Sequence, residues 1–149
     1  MTNDIDALVR RMSRIAEKLF KEEGGFPPMW LVDLTDGKQE LYGTPFNFDG
    51  REQKDAMGRE LGRIFQSKGV WRYACALECW TSRGPGKPSL DPDRKETVII
   101  YAEDQTTERL GLRDVIRTGD VAYLTKLEMS KSASRSWFTD LVRQPGGLQ

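Results

Sequence analysis

The chain has 149 residues, enough for one domain with a real hydrophobic core, and its 23 Lys and Arg balance 23 Asp and Glu. A formal net charge of zero gives no global attraction to nucleic acid or to an anionic membrane. The absence of histidine excludes Ser-His-Asp and Cys-His triads, the His-Glu-x-x-His zinc site and any imidazole general base, leaving carboxylates, Lys, Tyr or a bound metal for chemistry.

No apolar run approaches the roughly 20 residues of a membrane span. The acidic start, Met1 to Asp6, is unlike the basic and then apolar start of a signal peptide, so the expectation is a soluble cytoplasmic protein. Asn3 or Asp4 can cap a first helix. In it Ile5, Leu8, Val9, Met12, Ile15, Ala16, Leu19 and Phe20 repeat at three-four spacing as one apolar stripe. Arg10, Arg11, Arg14, Lys18 and Lys21 lie mostly off the stripe among Glu17, Glu22 and Glu23, which reads as a solvated face more readily than as a phosphate-binding patch. Gly24-Gly25 ends the helix.

Met29 to Leu34 reads as a strand, Asp36-Gly37 as a hairpin turn and Gln39 to Gly43 as the returning strand. Asp49 followed by Glu52 resembles a capping box for a second helix that runs to Lys68 and stops at Gly69. Its apolar positions are Ala56, Met57, Leu61, Ile64 and Phe65. Gly58 and Gly62, one turn apart, each weaken it by about 1 kcal/mol relative to Ala, and they admit a close neighbour, expected to be the sheet or the first helix.

Residues 70 to 82 form the stretch around which the rest is organised. Trp71, Tyr73, Cys75, Leu77 and Cys79 share one parity and hence one face of a strand; Val70, Arg72, Ala74, Ala76, Glu78 and Trp80 share the other. Cys75 and Cys79 would lie roughly 13 Å apart on it, four residues at about 3.3 Å, too far for a disulfide or a shared metal. They read as small buried hydrophobes.

The segment from Ser82 to Arg94 carries three prolines and two glycines but fails as a phosphate loop, because Pro88 follows Lys87 where Ser or Thr is needed. Its length marks Arg83, Lys87 and Arg94 as possible loop contacts. Glu96 to Asp104, with Val98, Ile99 and Ile100 apolar on both parities, is the central partner strand. Glu108 to Arg117 and Val121 to Leu127 complete a four-strand meander. Trp137, Phe138, Leu141 and Val142 suggest one docking turn of helix before a disordered tail, residues 145–149.

The expected fold is one α+β domain over residues 1–144, a mostly antiparallel sheet of about six strands with both amphipathic helices on one face. The second face then needs cover from the Trp137-Phe138 segment, a second copy of the chain, or a ligand. Arg72, Ala74, Ala76, Glu78 and Trp80 form the expected partner or ligand surface, a low floor flanked by charges and an aromatic. Arg72 and Glu78 also have a plainer reading as cross-strand ion pairs with residues such as Glu96 or Arg113.

Pro28-Met29-Trp30, then Val70-x-Arg72-Tyr73 with Glu78-x-Trp80-Thr81, then Pro92-x-Arg94-x-Glu96-x-Val98 and Ala102-Glu103-Asp104 resemble a family of uncharacterised proteobacterial proteins. The resemblance covers residues 27 to 128. It implies a bacterial or phage-like cytoplasmic setting and brings no catalytic residue with it.

The leading expectation is a non-enzymatic interaction or accessory domain, a homodimer formed through the second face of the sheet, with no cofactor and no metal. One alternative is a metal-dependent enzyme built on Glu78, Glu96, Glu103 and Asp104. Another is a nucleic-acid-binding module using Arg10, Arg11, Arg14, Arg83 and Lys87 with Trp80 to stack, which the neutral net charge opposes.

Overall fold

A computed structural model describes residues 5–44, 50–81, 95–130 and 136–143. The elements run α1 (Ile5–Glu23), β1 (Met29–Leu34), β2 (Gln39–Gly43), α2 (Arg51–Lys68), β3 (Val70–Thr81), β4 (Lys95–Glu103), β5 (Glu108–Thr118), β6 (Val121–Leu124) and β7 (Glu128–Ser130). They form an α+β fold with one seven-stranded antiparallel sheet in the order β2-β1-β3-β4-β5-β6, with β7 also paired to β5. No helix among the described residues is long and apolar enough to cross a membrane.

The meander from β3 to β6 follows the expected order. The expected strand over 121–127, however, stops at Leu124, and a further short strand, β7, follows at Glu128–Ser130. β6 pairs Val115 with Leu124, whereas β7 pairs Leu112 with Glu128, so Arg113 and Asp114 face the three residues Thr125 to Leu127. That bulge is held by Arg113 Nε on the Thr125 carbonyl (2.7 Å) and by the Asp114 N–H on Thr125 Oγ1 (2.9 Å).

The helices do not share a face. The even residues of β3 and β4 (Ala74, Ala76, Val98, Ile100, Ala102) pack with Met29 and Leu31 against Ile5, Leu8, Val9, Met12, Ala16 and Phe20 of α1. The odd residues (Tyr73, Cys75, Leu77, Tyr101) pack with Trp30 and Val32 against Leu61 and Phe65 of α2. Successive side chains of a strand point to opposite faces, so one helix lies on each side of the sheet. The reason is that both parities of β1, β3 and β4 are apolar, and each face demands its own layer. Burying α1's large apolar side chains, at about 1.5–3 kcal/mol each, makes it the dominant cover of its face.

α2 buries only Leu61 and Phe65 and covers its face incompletely. Leu141 and Val142, with Trp137 and Phe138, finish the layer as an irregular turn and not as the expected helix. Thr139 closes that turn, its N–H donating to the Ser136 carbonyl at 3.1 Å. α2 opens after Gly50 with no side-chain cap; it closes at Gly69, whose φ of 77° lets the chain reverse straight into β3. The segment 82–94, Asp49 of the expected capping box and the tail at 145–149 lie outside the described residues.

Candidate functional site

The surface expected on β3 is resolved into separate pieces. Ala74 and Ala76 are fully buried beneath α1, so the chain's own first helix occupies the second face of the sheet where a partner or ligand was expected. Arg72 lies at the far end of the strand, where its Nη2 meets Asp33 Oδ2 at 2.7 Å and its Nε the same oxygen at 2.9 Å; its guanidinium also stacks over Trp71. Asp33 is its direct cross-strand neighbour on β1, so the plainer reading of Arg72 as a cross-strand ion pair holds, with Asp33 as the acid. At the other end Glu78 accepts the Phe26 N–H at 2.8 Å. Trp80 is 43% exposed. Arg83, Lys87 and Arg94 lie outside the described residues.

The four acids also fail to converge, and only Glu78 and Glu96 remain neighbours. Glu78 and Glu96 are even-numbered and stand on the α1 side, where Glu96 forms a two-point pair with Arg117 at 2.7 and 2.6 Å. Burial pushes the Glu78 carboxyl up, the Phe26 N–H opposes it and the nearby Glu96 charge adds to it. The Arg117 hydrogen bond holds Glu96 below the ordinary carboxylate value. Asp104 caps a turn, its Oδ1 accepting the N–H groups of Thr106 and Thr107. Glu103 is odd-numbered and faces the opposite side, fully buried. Among the described residues no three Cys, Asp or Glu side chains gather as metal ligands would.

Glu103 has a different task. Its Oε1 lies 2.9 Å from the Tyr73 hydroxyl and 3.1 Å from the Leu141 N–H; its Oε2 lies 3.3 Å from the Tyr101 hydroxyl, 3.2 Å from the Asp140 N–H and 3.2 Å from Arg143 Nε. Asp140 adopts φ 61°, a left-handed conformation that turns two successive N–H groups onto one carboxylate. Burial pushes the Glu103 carboxyl up, against the Tyr73 hydrogen bond and the Arg143 charge. Arg143 continues to the Asp104 carbonyl and Glu108, and Gln105 Nε2 donates to the Val142 carbonyl at 2.7 Å. A buried acid thus fastens residues 136–143 to the sheet.

Gly58 gives that segment room. A Cβ built there would stand 2.4 Å from the Trp137 carbonyl oxygen, so the close neighbour admitted by the glycine is the C-terminal segment, where the sheet or α1 was expected. Between α2 and this segment lies a cleft of about 890 Å³, lined by Gly62, Arg59, Trp71, Trp137 and Asp140 among others.

Arg113 plays the matching part on the α1 side. Nearly buried, it reaches Glu17 Oε1 at 2.7 Å and Ser13 Oγ at 3.1 Å. Its hydrogen bond lowers the pKa of Glu17. Glu103 carries a sequence signal, a charge that follows the apolar run of β4, whereas Arg113 is one of three arginines on its face of β5; the partners of both lie far away along the chain.

No family model, curated protein or solved structure matches this chain.

The apolar side chains left outside are found mainly at the margins of the sheet. Leu41 on β2 is 49% exposed, and Val121 and Tyr123 on β6 and Met129 on β7 are exposed as well. Both faces are covered over much of β1, β3 and β4 while the margins remain apolar.

Proposed function

We propose that this chain is a non-enzymatic, self-associating interaction domain that acts as an accessory protein in a bacterial cytoplasm. The observation that carries the reading is the exposure of Leu41, Val121, Tyr123 and Met129 along the two margins of the sheet. The four acids do not converge, Glu78 and Glu96 lying together on the α1 side while Glu103 is buried on the other and Asp104 caps a turn, and this supports it against a carboxylate enzyme.

Sedimentation velocity across a wide dilution series tests the reading. The expected result is a mass that falls from dimer to monomer on dilution. A strict monomer at every concentration would overturn it.

A further inference from the structure

We propose that the occupant of the β2 margin is β2 of a second copy, paired antiparallel about a two-fold axis through Leu41. This rests on the self-association reading and names its contact.

The hydrogen-bond pattern of the β1–β2 hairpin decides which groups face outward. The Leu34 N–H donates to the Lys38 carbonyl at 2.9 Å, and the Thr44 N–H to the Pro28 carbonyl at 3.0 Å. With Leu31 opposite Leu41 and Trp30 opposite Tyr42, bonded pairs alternate with non-bonded ones in an antiparallel ladder. The backbone groups of Glu40 and Tyr42 therefore turn toward β1. Those of Gln39, Leu41 and Gly43 turn away from it, and among the described residues no strand pairs with that side.

A two-fold axis through Leu41 satisfies all of them. Leu41 meets Leu41 of the second copy as a bonded pair, Gln39 meets Gly43, and Gly43 meets Gln39. The side chains agree with this register. The two exposed Leu41 side chains come together on the α1 side. On the other side Glu40 of each copy stands opposite Tyr42 of its neighbour. There Lys68 adds a cation, its Nζ 3.9 Å from Glu40 Oε1 and 5.4 Å from the centre of the Tyr42 ring. The contact is complementary to itself in hydrogen bonding, and Glu40 brings no uncompensated charge to it, because Lys68 and the Tyr42 hydroxyl of its own chain already pair with it.

The strand also lacks the usual guards of an edge. Gln39 to Gly43 contains no proline, no lysine and no bulge, while the opposite margin is cut into β6 and β7 by a register step. A five-residue contact is smaller than the roughly 1,200–2,000 Å² of a stable complex, so the dimer is weak and concentration-dependent.

The test adds one cysteine at a time in a Cys79→Ser background, where the remaining native thiol, Cys75, is fully buried. Bonded antiparallel neighbours lie about 5.5 Å apart at Cα, within disulfide reach, so Leu41→Cys is expected to link two copies under mild oxidation. Gln39→Cys is expected not to, because its own counterpart lies roughly 13 Å away in this register. Leu41→Pro removes an outward N–H that the monomer does not use, and is expected to weaken the dimer at least about tenfold with unchanged circular dichroism. A protein that self-associates while Leu41→Cys stays unlinked would overturn the edge contact and leave self-association standing. Equal linking through Gln39→Cys would overturn the register. Oligomers that grow beyond two and ignore Leu41→Pro would assign the contact elsewhere. A monomer throughout removes both readings.

Discussion

Replacing Glu103 by Gln isolates the fastening of the C-terminal segment, because the amide keeps the shape and exchanges one acceptor for a donor. Oε1 serves the Tyr73 hydroxyl and the Leu141 N–H; Oε2 serves the Tyr101 hydroxyl, the Asp140 N–H and Arg143. Either orientation of the amide sets an NH₂ against a backbone N–H. Tyrosine hydroxyls can rotate away, but the N–H of Leu141 or Asp140 cannot. One buried N–H without an acceptor costs about 1–3 kcal/mol, and the ion pair with Arg143 is lost. The expected loss is about 2–4 kcal/mol, and Glu103→Ala, which leaves the N–H groups of both Asp140 and Leu141 without that acceptor, is expected to lose at least as much. For a chain of this size about 2–4 °C of melting temperature accompanies each kcal/mol, so Glu103→Gln is expected to melt roughly 5–15 °C lower. Denaturant titration gives the free energy, and hydrogen exchange at Asp140 and Leu141 locates it. Stability within about 0.5 kcal/mol of the parent, with both amides still protected, would refute the argument.

Gly58→Ala and Gly62→Ala should part in sign. Alanine normally strengthens a helix interior by up to about 1 kcal/mol, and nothing stands within 4 Å of a Cβ at Gly62. At Gly58 the same methyl meets the Trp137 backbone, so thermal melts should show that variant destabilised and limited proteolysis should cut it near the C-terminus. Stability should depend on pH with two limbs. Glu78 and Glu103 have raised pKa values in the fold, so their contribution is complete below the ordinary 4.5 and is lost as pH rises through the folded values. Glu17 and Glu96 are lowered, so theirs is complete above 4.5 and lost as pH falls through the folded values. Urea midpoints should therefore rise from neutral pH toward 4.5 and fall below it. Glu78→Gln should flatten the upper limb and Glu96→Gln the lower; identical curves for all three proteins would contradict the assignment. Burial pushes the Cys79 thiol up to about 11 and that of the fully buried Cys75 further. A disulfide reagent at neutral pH should react slowly with the native protein and with both thiols once it unfolds, and one fast native equivalent would be inconsistent with this packing.

What the amino-acid sequence determined was the inventory of faces. The parity of Tyr73, Cys75 and Leu77 against Ala74 and Ala76 marked a strand, the stripe from Ile5 to Phe20 marked a helix, and Asp36-Gly37 marked the hairpin. Such periodicities depend only on near neighbours along the chain, so they can be read without knowing what lies opposite. They also showed that both sides of the sheet must be covered. Which element covers which side was decided by the tertiary structure: α1 took the alanine floor that had looked like a docking surface, and α2 needed the C-terminal segment to finish the other side. The task of Glu103 was hidden for the same reason, since an isolated acid in a strand acquires a meaning only from donors at Tyr73, Asp140, Leu141 and Arg143. The open margin of β2 likewise appears only when the strand order is known, because an edge is a property of the sheet and not of the five residues that form it.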